Sequence, residues 1–72
     1  MIDPAKFWQA MTRLAVDKGA SFMTLATDAG LDPTTLYRAA RTARLPNLTT
    51  LSVILDKQGV SVKQFFTKYY KD

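Results

Sequence analysis

The sequence predicts an all-α fold, a compact domain of five short helices. Apolar residues recur at spacings of three and four along most of the chain. A residue typical of a helix N-cap precedes each apolar segment, and glycine follows three of these segments. The chain has 72 residues and no cysteine, so its core is small and has no disulfide to support it. Such a chain favours a fold with dense local contacts, and helices supply them.

The first two predicted helices cover residues 4–18 and 22–29. The pair Asp3-Pro4 starts the first, because aspartate accepts hydrogen bonds from free amides and proline fits the first helical turn. Glycine ends both helices, Gly19 the first and Gly30 the second. The turn between the second helix and the next is therefore predicted to be tight.

The other three predicted helices cover residues 33–41, 48–58 and 62–70. Their start signals are Asp32-Pro33, Asn47 and Ser61. The fourth helix is expected to direct four apolar side chains inward, namely Leu48, Leu51, Ile54 and Leu55. Since the sequence contains no internal repeat or linker, residues 1–72 are predicted to form a single domain.

The segment 22–41 has the spacing of a helix-turn-helix. Ala26 is small enough to let two helices cross closely, and Gly30 can adopt the left-handed conformation that ends the first of them. Leu36 then returns the second helix to the core. DNA binding is the leading functional hypothesis, with helix 33–41 in the major groove.

The outward face of helix 33–41 carries the candidate DNA contacts. With Leu36 inward, Ala40 and Ala43 fall near the core side, and a polar row faces outward. Arg38 suits a guanine edge because it can donate two parallel hydrogen bonds. The predicted base contacts are Pro33, Thr34, Thr35, Tyr37 and Arg38. The predicted backbone contacts on this side are Arg41, Thr42, Arg44 and Asn47.

Charge and composition support a nucleic-acid partner and argue against an enzyme. The formal net charge is +4, which favours association with a polyanion. Histidine, cysteine and glutamate are absent, and the aspartates have no paired or metal-like spacing. We therefore expect no catalytic site, no metal and no cofactor. With no bilayer-spanning apolar segment and no signal-peptide pattern, a cytoplasmic protein without a membrane partner is expected.

These residues resemble the lambda-repressor-like DNA-binding family of the Xre and Cro type. The resemblance covers about residues 6–66, and its motifs are Leu25-Ala26, Gly30-Leu31-Asp32, Leu36 and the segments 44–51 and 59–66. It implies sequence-specific binding of duplex DNA, commonly as a homodimer, and repression of transcription in phage, plasmid or toxin–antitoxin circuits. It also implies a DNA-backbone contact at Ser21 and Phe22, where family members often have glutamine in place of Phe22.

Two points stay open at this stage. The C-terminal aromatic residues exceed what one short helix buries, so they complete the core or form a dimer interface; they are Phe65, Phe66, Tyr69 and Tyr70. The rival function is a protein-interaction module that binds a toxin or another regulator and binds DNA weakly. The polar row of Thr34, Arg38 and Arg41 favours DNA, because a protein-binding face carries aromatic or aliphatic anchors.

Overall fold

The structure, a computed structural model, describes residues 2–71 and contains five α-helices and no β-strand in that range. The all-α prediction is therefore confirmed. The helices are α1 (Pro4–Asp17), α2 (Phe22–Asp28), α3 (Pro33–Arg41), α4 (Leu48–Lys57) and α5 (Val62–Lys68). The sequence placed the ends of α1, α2, α4 and α5 one or two residues too late, because their C-caps read as helical positions.

Every helix begins at the capping residue that the sequence indicates. In each case the cap side chain accepts a hydrogen bond from an amide of the first turn; the caps are Asp3, Ser21, Asp32, Asn47 and Ser61. In α5 the cap is reciprocal, since the Ser61 amide also donates to Gln64 Oε1 at 3.0 Å. Each such cap contributes about 1 kcal/mol. Local sequence therefore sets where the helices start.

Four of the helices end in the same left-handed turn. The residue with positive φ is glycine after α1, α2 and α4, but it is Ala43, at φ 52°, after α3. In all four turns the next amide donates to the carbonyl five residues earlier, at 2.8–3.0 Å. Ala43 therefore lies outside α3 and is exposed, which corrects the expectation that it falls near the core side. Helical periodicity ceases to apply where the helix ends.

The core lies between α1, α2, α4 and α5. Its largest fully buried side chains are Phe7, Met11, Leu14, Leu25, Ile54, Leu55 and Phe65. The helix α3 packs mainly against α2, whereas α5 packs against α1 and α4. The helices α3 and α5 therefore lie on different sides of the domain. No helix within residues 2–71 has the length and apolar character needed to cross a bilayer.

The C-terminal aromatic residues divide between core and surface. Phe65 is 0% exposed and Tyr69 is 5% exposed, so both complete the core and neither offers a surface for a second subunit. Phe66 and Tyr70 are half-buried. Leu48, in contrast, was expected to face inward and is 68% exposed. Leu48 is the first residue of α4, and this end of the helix extends beyond the core. A side chain on the inward face is therefore left exposed there.

Candidate nucleic-acid interface

The predicted polar row lies on the surface, on the side of α3 opposite its one buried residue, Leu36. Thr34, Arg38 and Arg41 are exposed, as the helical period requires. Their flanking residues, Thr35 and Tyr37, are exposed too. This outward side of α3 is therefore free to contact a ligand.

Three arginines surround a shallow depression beside α3, here called the arginine depression. It has a volume of about 600 Å³ and is lined by Thr35, Arg38, Ala39, Arg41, Thr42 and Arg44. Within residues 2–71 the one ion pair joins Lys68 to Asp17, so no carboxylate neutralises these guanidinium groups. Positive charge around a concave surface attracts polyanions, and the planar guanidinium matches phosphate geometry.

A ladder of aromatic rings connects α3 to the core. The Tyr37 ring packs edge-to-face on Phe22 at 5.3 Å between centroids, and Phe22 packs in the same way on Trp8 at 5.4 Å. Trp8 in turn meets Phe7 at 5.0 Å. Such pairs contribute about 0.5–1.5 kcal/mol each beyond their buried area. The ladder therefore holds the surface of α3 at a fixed distance from α1.

Phe22 has a positioning role in this ladder that the sequence did not identify. Its side chain has no polar group, so a phosphate contact at this position can come only from its backbone amide. The aromatic residues at 8, 22 and 37 were the available signal, but their contact joins three different helices. Periodicity within one helix cannot reveal such a contact.

Trp8 also fixes the loop that carries Arg44. The indole Nε1–H donates to the Arg44 carbonyl at 2.9 Å, and Trp8 is 7% exposed. The Arg44 amide donates to the Ala39 carbonyl at 2.8 Å. Both polar backbone groups of Arg44 are thus held, while its side chain is exposed at the arginine depression. Trp8 therefore packs at the edge of the core and, through this hydrogen bond, also holds the loop in place.

Three other residues predicted to contact the DNA backbone use their side-chain oxygens in hydrogen bonds within the protein. Thr42 Oγ1 donates to the Arg38 carbonyl at 2.8 Å, and Asn47 Oδ1 accepts from the Thr50 amide at 2.8 Å. Ser21 Oγ accepts from the Thr24 amide at 3.1 Å. These atoms stabilise turns and helix starts. The Asn47 side-chain NH₂ group can still donate to a phosphate, but the arginines add positive charge and are the side chains best able to contact an anion.

The start of α3 is less suited to an anion than its end. Asp32 Oδ1 accepts from the Thr34 amide at 3.0 Å, and Thr35 Oγ1 donates to Asp32 Oδ2 at 3.4 Å. A carboxylate therefore lies beside Pro33, which has no side-chain donor of its own. Electrostatics favours contact through Arg38, Arg41 and the loop at Arg44.

An exposed apolar groove, here called the leucine groove, follows the arginine depression along the chain. It has a volume of about 160 Å³ and is lined by Ile2, Phe7, Leu45, Pro46, Leu48, Leu51 and Phe66. Leu48 is 68% exposed, Leu45 45% and Ile2 39%. Because none of its lining residues is charged, the groove suits contact with another protein surface.

Within residues 2–71, no cluster of three or more histidine, cysteine or acidic side chains is placed to hold a metal ion. Comparison of the chain with protein-family models, with curated proteins and with solved structures finds no match.

Proposed function

We propose that this protein is a sequence-specific DNA-binding regulator that represses transcription in the cytoplasm and has a lambda-repressor-like fold of the Xre and Cro type. The carrying observation is the arginine depression, where no carboxylate of residues 2–71 pairs with Arg38, Arg41 or Arg44. These charges flank the exposed side of a helix that follows a tight turn. That combination fits a helix lying in the major groove between two phosphate backbones.

The roles of the arginines follow from their positions. Arg38 lies on the exposed face of α3 and contacts a base edge, with guanine as the best match. Arg41, in the last turn of α3, and Arg44, in the loop, neutralise phosphates. Pro33, Thr34, Thr35 and Tyr37 add contacts of shape and of methyl or hydroxyl groups.

The proposal includes a homodimer that forms through the leucine groove. A recognition helix of nine residues makes few base contacts, and a second copy doubles them. Two chains of net charge +4 repel each other except where the surface is uncharged, as it is at Leu45 and Leu48. The groove follows Arg44 directly, so pairing there keeps both arginine depressions close together.

The size of the groove sets the strength of this dimer. Stable dimers bury about 800 Å² on each partner, which far exceeds a groove built on three well-exposed apolar side chains. We therefore expect a monomer in solution and a dimer on DNA. The longest dimension of the domain is 28 Å, so adjacent copies can approach the spacing of about 34 Å between half-sites one turn apart.

The first test is selection of bound duplexes from a randomised library at near-physiological salt, followed by sequencing. We expect enrichment of an inverted repeat with half-sites about one helical turn apart. Enrichment of a single half-site would contradict the dimer. A pool without any enriched sequence would contradict sequence-specific binding.

Two substitutions separate base reading from phosphate contact. Arg38→Ala should cost about 1–3 kcal/mol at the selected site and relax one base position. Arg44→Ala should weaken binding to every duplex and lower the salt slope by about one unit. Lys57→Ala removes the same charge from the far end of α4 and is the matched control. An Arg44→Ala slope equal to that of the control would exclude Arg44 from the interface.

The exposed leucine groove also favours a second candidate function, binding to a different protein such as a toxin or another regulator. Leu48→Gln distinguishes the two, because Leu48 is exposed, its replacement leaves the core intact, and glutamine adds no charge beside the predicted backbone contact Asn47. Under the DNA proposal, this variant binds one half-site normally and loses cooperative binding to the inverted repeat. Unchanged cooperativity would assign the groove to a different protein.

A further inference from the structure

A lysine-lined cleft lies beside α5, at a distance from the proposed DNA surface. It is formed by the end of α1, the turn between α4 and α5, and one face of α5, and its volume is about 500 Å³. Its charged lining residues are Lys18, Lys63 and Lys68. Because α5 packs against α1 and α4 while α3 packs mainly on α2, the cleft and the arginine depression lie on different sides of the domain.

The positive charge of this cleft is only partly neutralised. Asp17 pairs with Lys68 Nζ at 3.5 Å and accepts a hydrogen bond from the Tyr69 hydroxyl. The Asp17 side chain lines another depression, together with Thr12, Arg13 and Val16, and does not line the lysine cleft. Asp17 also lies near enough to Lys18 for their charges to interact, whereas within residues 2–71 Lys63 makes no ion pair with a carboxylate.

The uncharged polar groups of the cleft add hydrogen-bond donors. Gln64 Oε1 accepts from the Ser61 amide, which leaves the Gln64 side-chain NH₂ group available to a ligand. Thr67 contributes an exposed hydroxyl. Within residues 2–71 the lining contains no carboxylate, so the cleft suits a molecule with several anionic oxygens better than a cation.

The cleft also has a narrow apolar wall. Val60 and Tyr69 contribute only their edges to it, at 9% and 5% exposure, and are fixed in the core. The aliphatic stems of the lining lysines extend this wall, so a sugar or a base can pack on it, whereas a free inorganic anion has no use for it. The volume falls within the range of about 300–1,000 Å³ that is typical of small-molecule sites. A concave cleft of this size suits a small molecule better than the convex surface of a duplex.

We propose that the lysine cleft binds an organic phosphate of mononucleotide size, with its phosphate groups on Lys18 and Lys63 and the rest of the molecule on the lysine stems and the exposed edges of Val60 and Tyr69. The site does not depend on DNA binding by α3. Since the two surfaces share no lining residue, both can be occupied at once.

The test is titration of the ¹⁵N-labelled protein with adenosine 5′-diphosphate, followed by amide chemical shifts. We expect the perturbed amides to lie at 18 and 59–69. Lys63→Gln should weaken binding about fivefold, the loss of one charge-assisted contact. Lys57→Gln removes a lysine that does not line the cleft and should leave the affinity within about twofold. Both lysines are exposed, so neither variant endangers the fold.

Three outcomes would overturn this proposal. Perturbed amides centred on Arg38, Arg41 and Arg44 would place the nucleotide on the arginine depression. Equal affinity for inorganic phosphate would remove the role of the apolar wall. Tighter binding of a hexa-aspartate peptide than of adenosine 5′-diphosphate at the same amides would assign the cleft to an acidic protein segment. The DNA selection above is independent of all three.

Discussion

The turn that follows α3 differs from the turns that follow α1, α2 and α4, although all four share the same backbone hydrogen bonds. In the other three, glycine takes the left-handed position and an apolar residue comes next, namely Ala20, Leu31 or Val60. After α3 the left-handed residue is Ala43, and the next residue is Arg44. Three turns therefore return the chain to the core, and the fourth presents a cation at the surface.

The turn after α3, here called the exceptional turn, is conformationally strained and is held by a side chain from another helix. A non-glycine residue in the left-handed region costs about 1–2 kcal/mol. The Arg44 carbonyl accepts a hydrogen bond from Trp8, which anchors the turn where the other three use apolar packing. Strained backbone that persists in a fold is concentrated at functional sites. This difference independently supports Arg44 as part of a functional surface.

The largest expected effect comes from placing an arginine in the turn after α4, at the position that Arg44 occupies in the turn after α3. Val60 is 9% exposed, so Val60→Arg buries a charge without a partner and should lower the free energy of unfolding by about 3 kcal/mol or more. Thermal unfolding followed by circular dichroism measures this loss. Arg44→Val is the converse change and should leave the free energy of unfolding within about 0.5 kcal/mol. Equal effects of the two variants would refute the distinction between the turns.

Trp8→Phe removes the anchor of the exceptional turn. The Arg44 carbonyl then loses its donor, which should cost about 1–3 kcal/mol of stability, and the loop at Arg44 becomes mobile. We expect weaker DNA binding even at temperatures where the variant is fully folded. The control is Thr12→Val, which removes a hydrogen bond to the Trp8 carbonyl within α1 and leaves Arg44 anchored. Full DNA affinity in folded Trp8→Phe would show that the anchor serves stability alone.

Two substitutions at left-handed positions test the backbone strain in these turns. A Cβ added at Gly30 meets no atom within 4 Å, so Gly30→Ala costs only the backbone term, about 1 kcal/mol. Ala43→Gly relieves the same strain but adds flexibility to the unfolded chain, so it should stabilise by less than about 1 kcal/mol. Chemical denaturation measures both changes. A destabilised Ala43→Gly variant would show that Ala43 makes a favourable contact of its own.

The sequence predicted the helix starts well because each start depends on a single side chain and the amides beside it. Asp3 and Ser61, for example, accept from amides within three residues. The glycine-ended turns were predictable for the same reason. Nothing in the sequence indicated the left-handed turn after α3, because the residue there is Ala43 and alanine carries no signal for such a turn. Its hydrogen-bonding pattern becomes visible only once Arg44 and Ala39 are placed.

The candidate site was predictable in direction but not in detail. The helical period correctly put Arg38 and Arg41 on the outward face of α3. It could not reveal the aromatic ladder through Phe22, because that contact depends on how three helices cross. The prediction for Leu48 was wrong for a related reason. Periodicity gives the angle of a side chain around the helix axis, but it does not show whether another helix lies beside that position along the axis.

The smallest expected effect concerns the end of α1, where Asp17 plays a part comparable to that of Trp8. The Tyr69 hydroxyl and the Lys68 ammonium hold the pKa of Asp17 below its ordinary value of 3.8, because both favour the carboxylate. A lowered folded-state pKa stabilises the protein above the unfolded-state pKa, and this contribution is lost as pH falls through the folded-state value. Asp17→Asn should therefore be slightly less stable than the parent at pH 7 and equal to it at pH values well below 3.8. Unfolding curves across that range measure the difference. The control is Asp28→Asn, because Asp28 is exposed and makes no ion pair within residues 2–71. If the stability difference between Asp17→Asn and the parent persists unchanged at the lowest pH, Asp17 acts through packing. The side chains that hold the end of α1 would then do so by apolar contacts alone, like those at the end of α4.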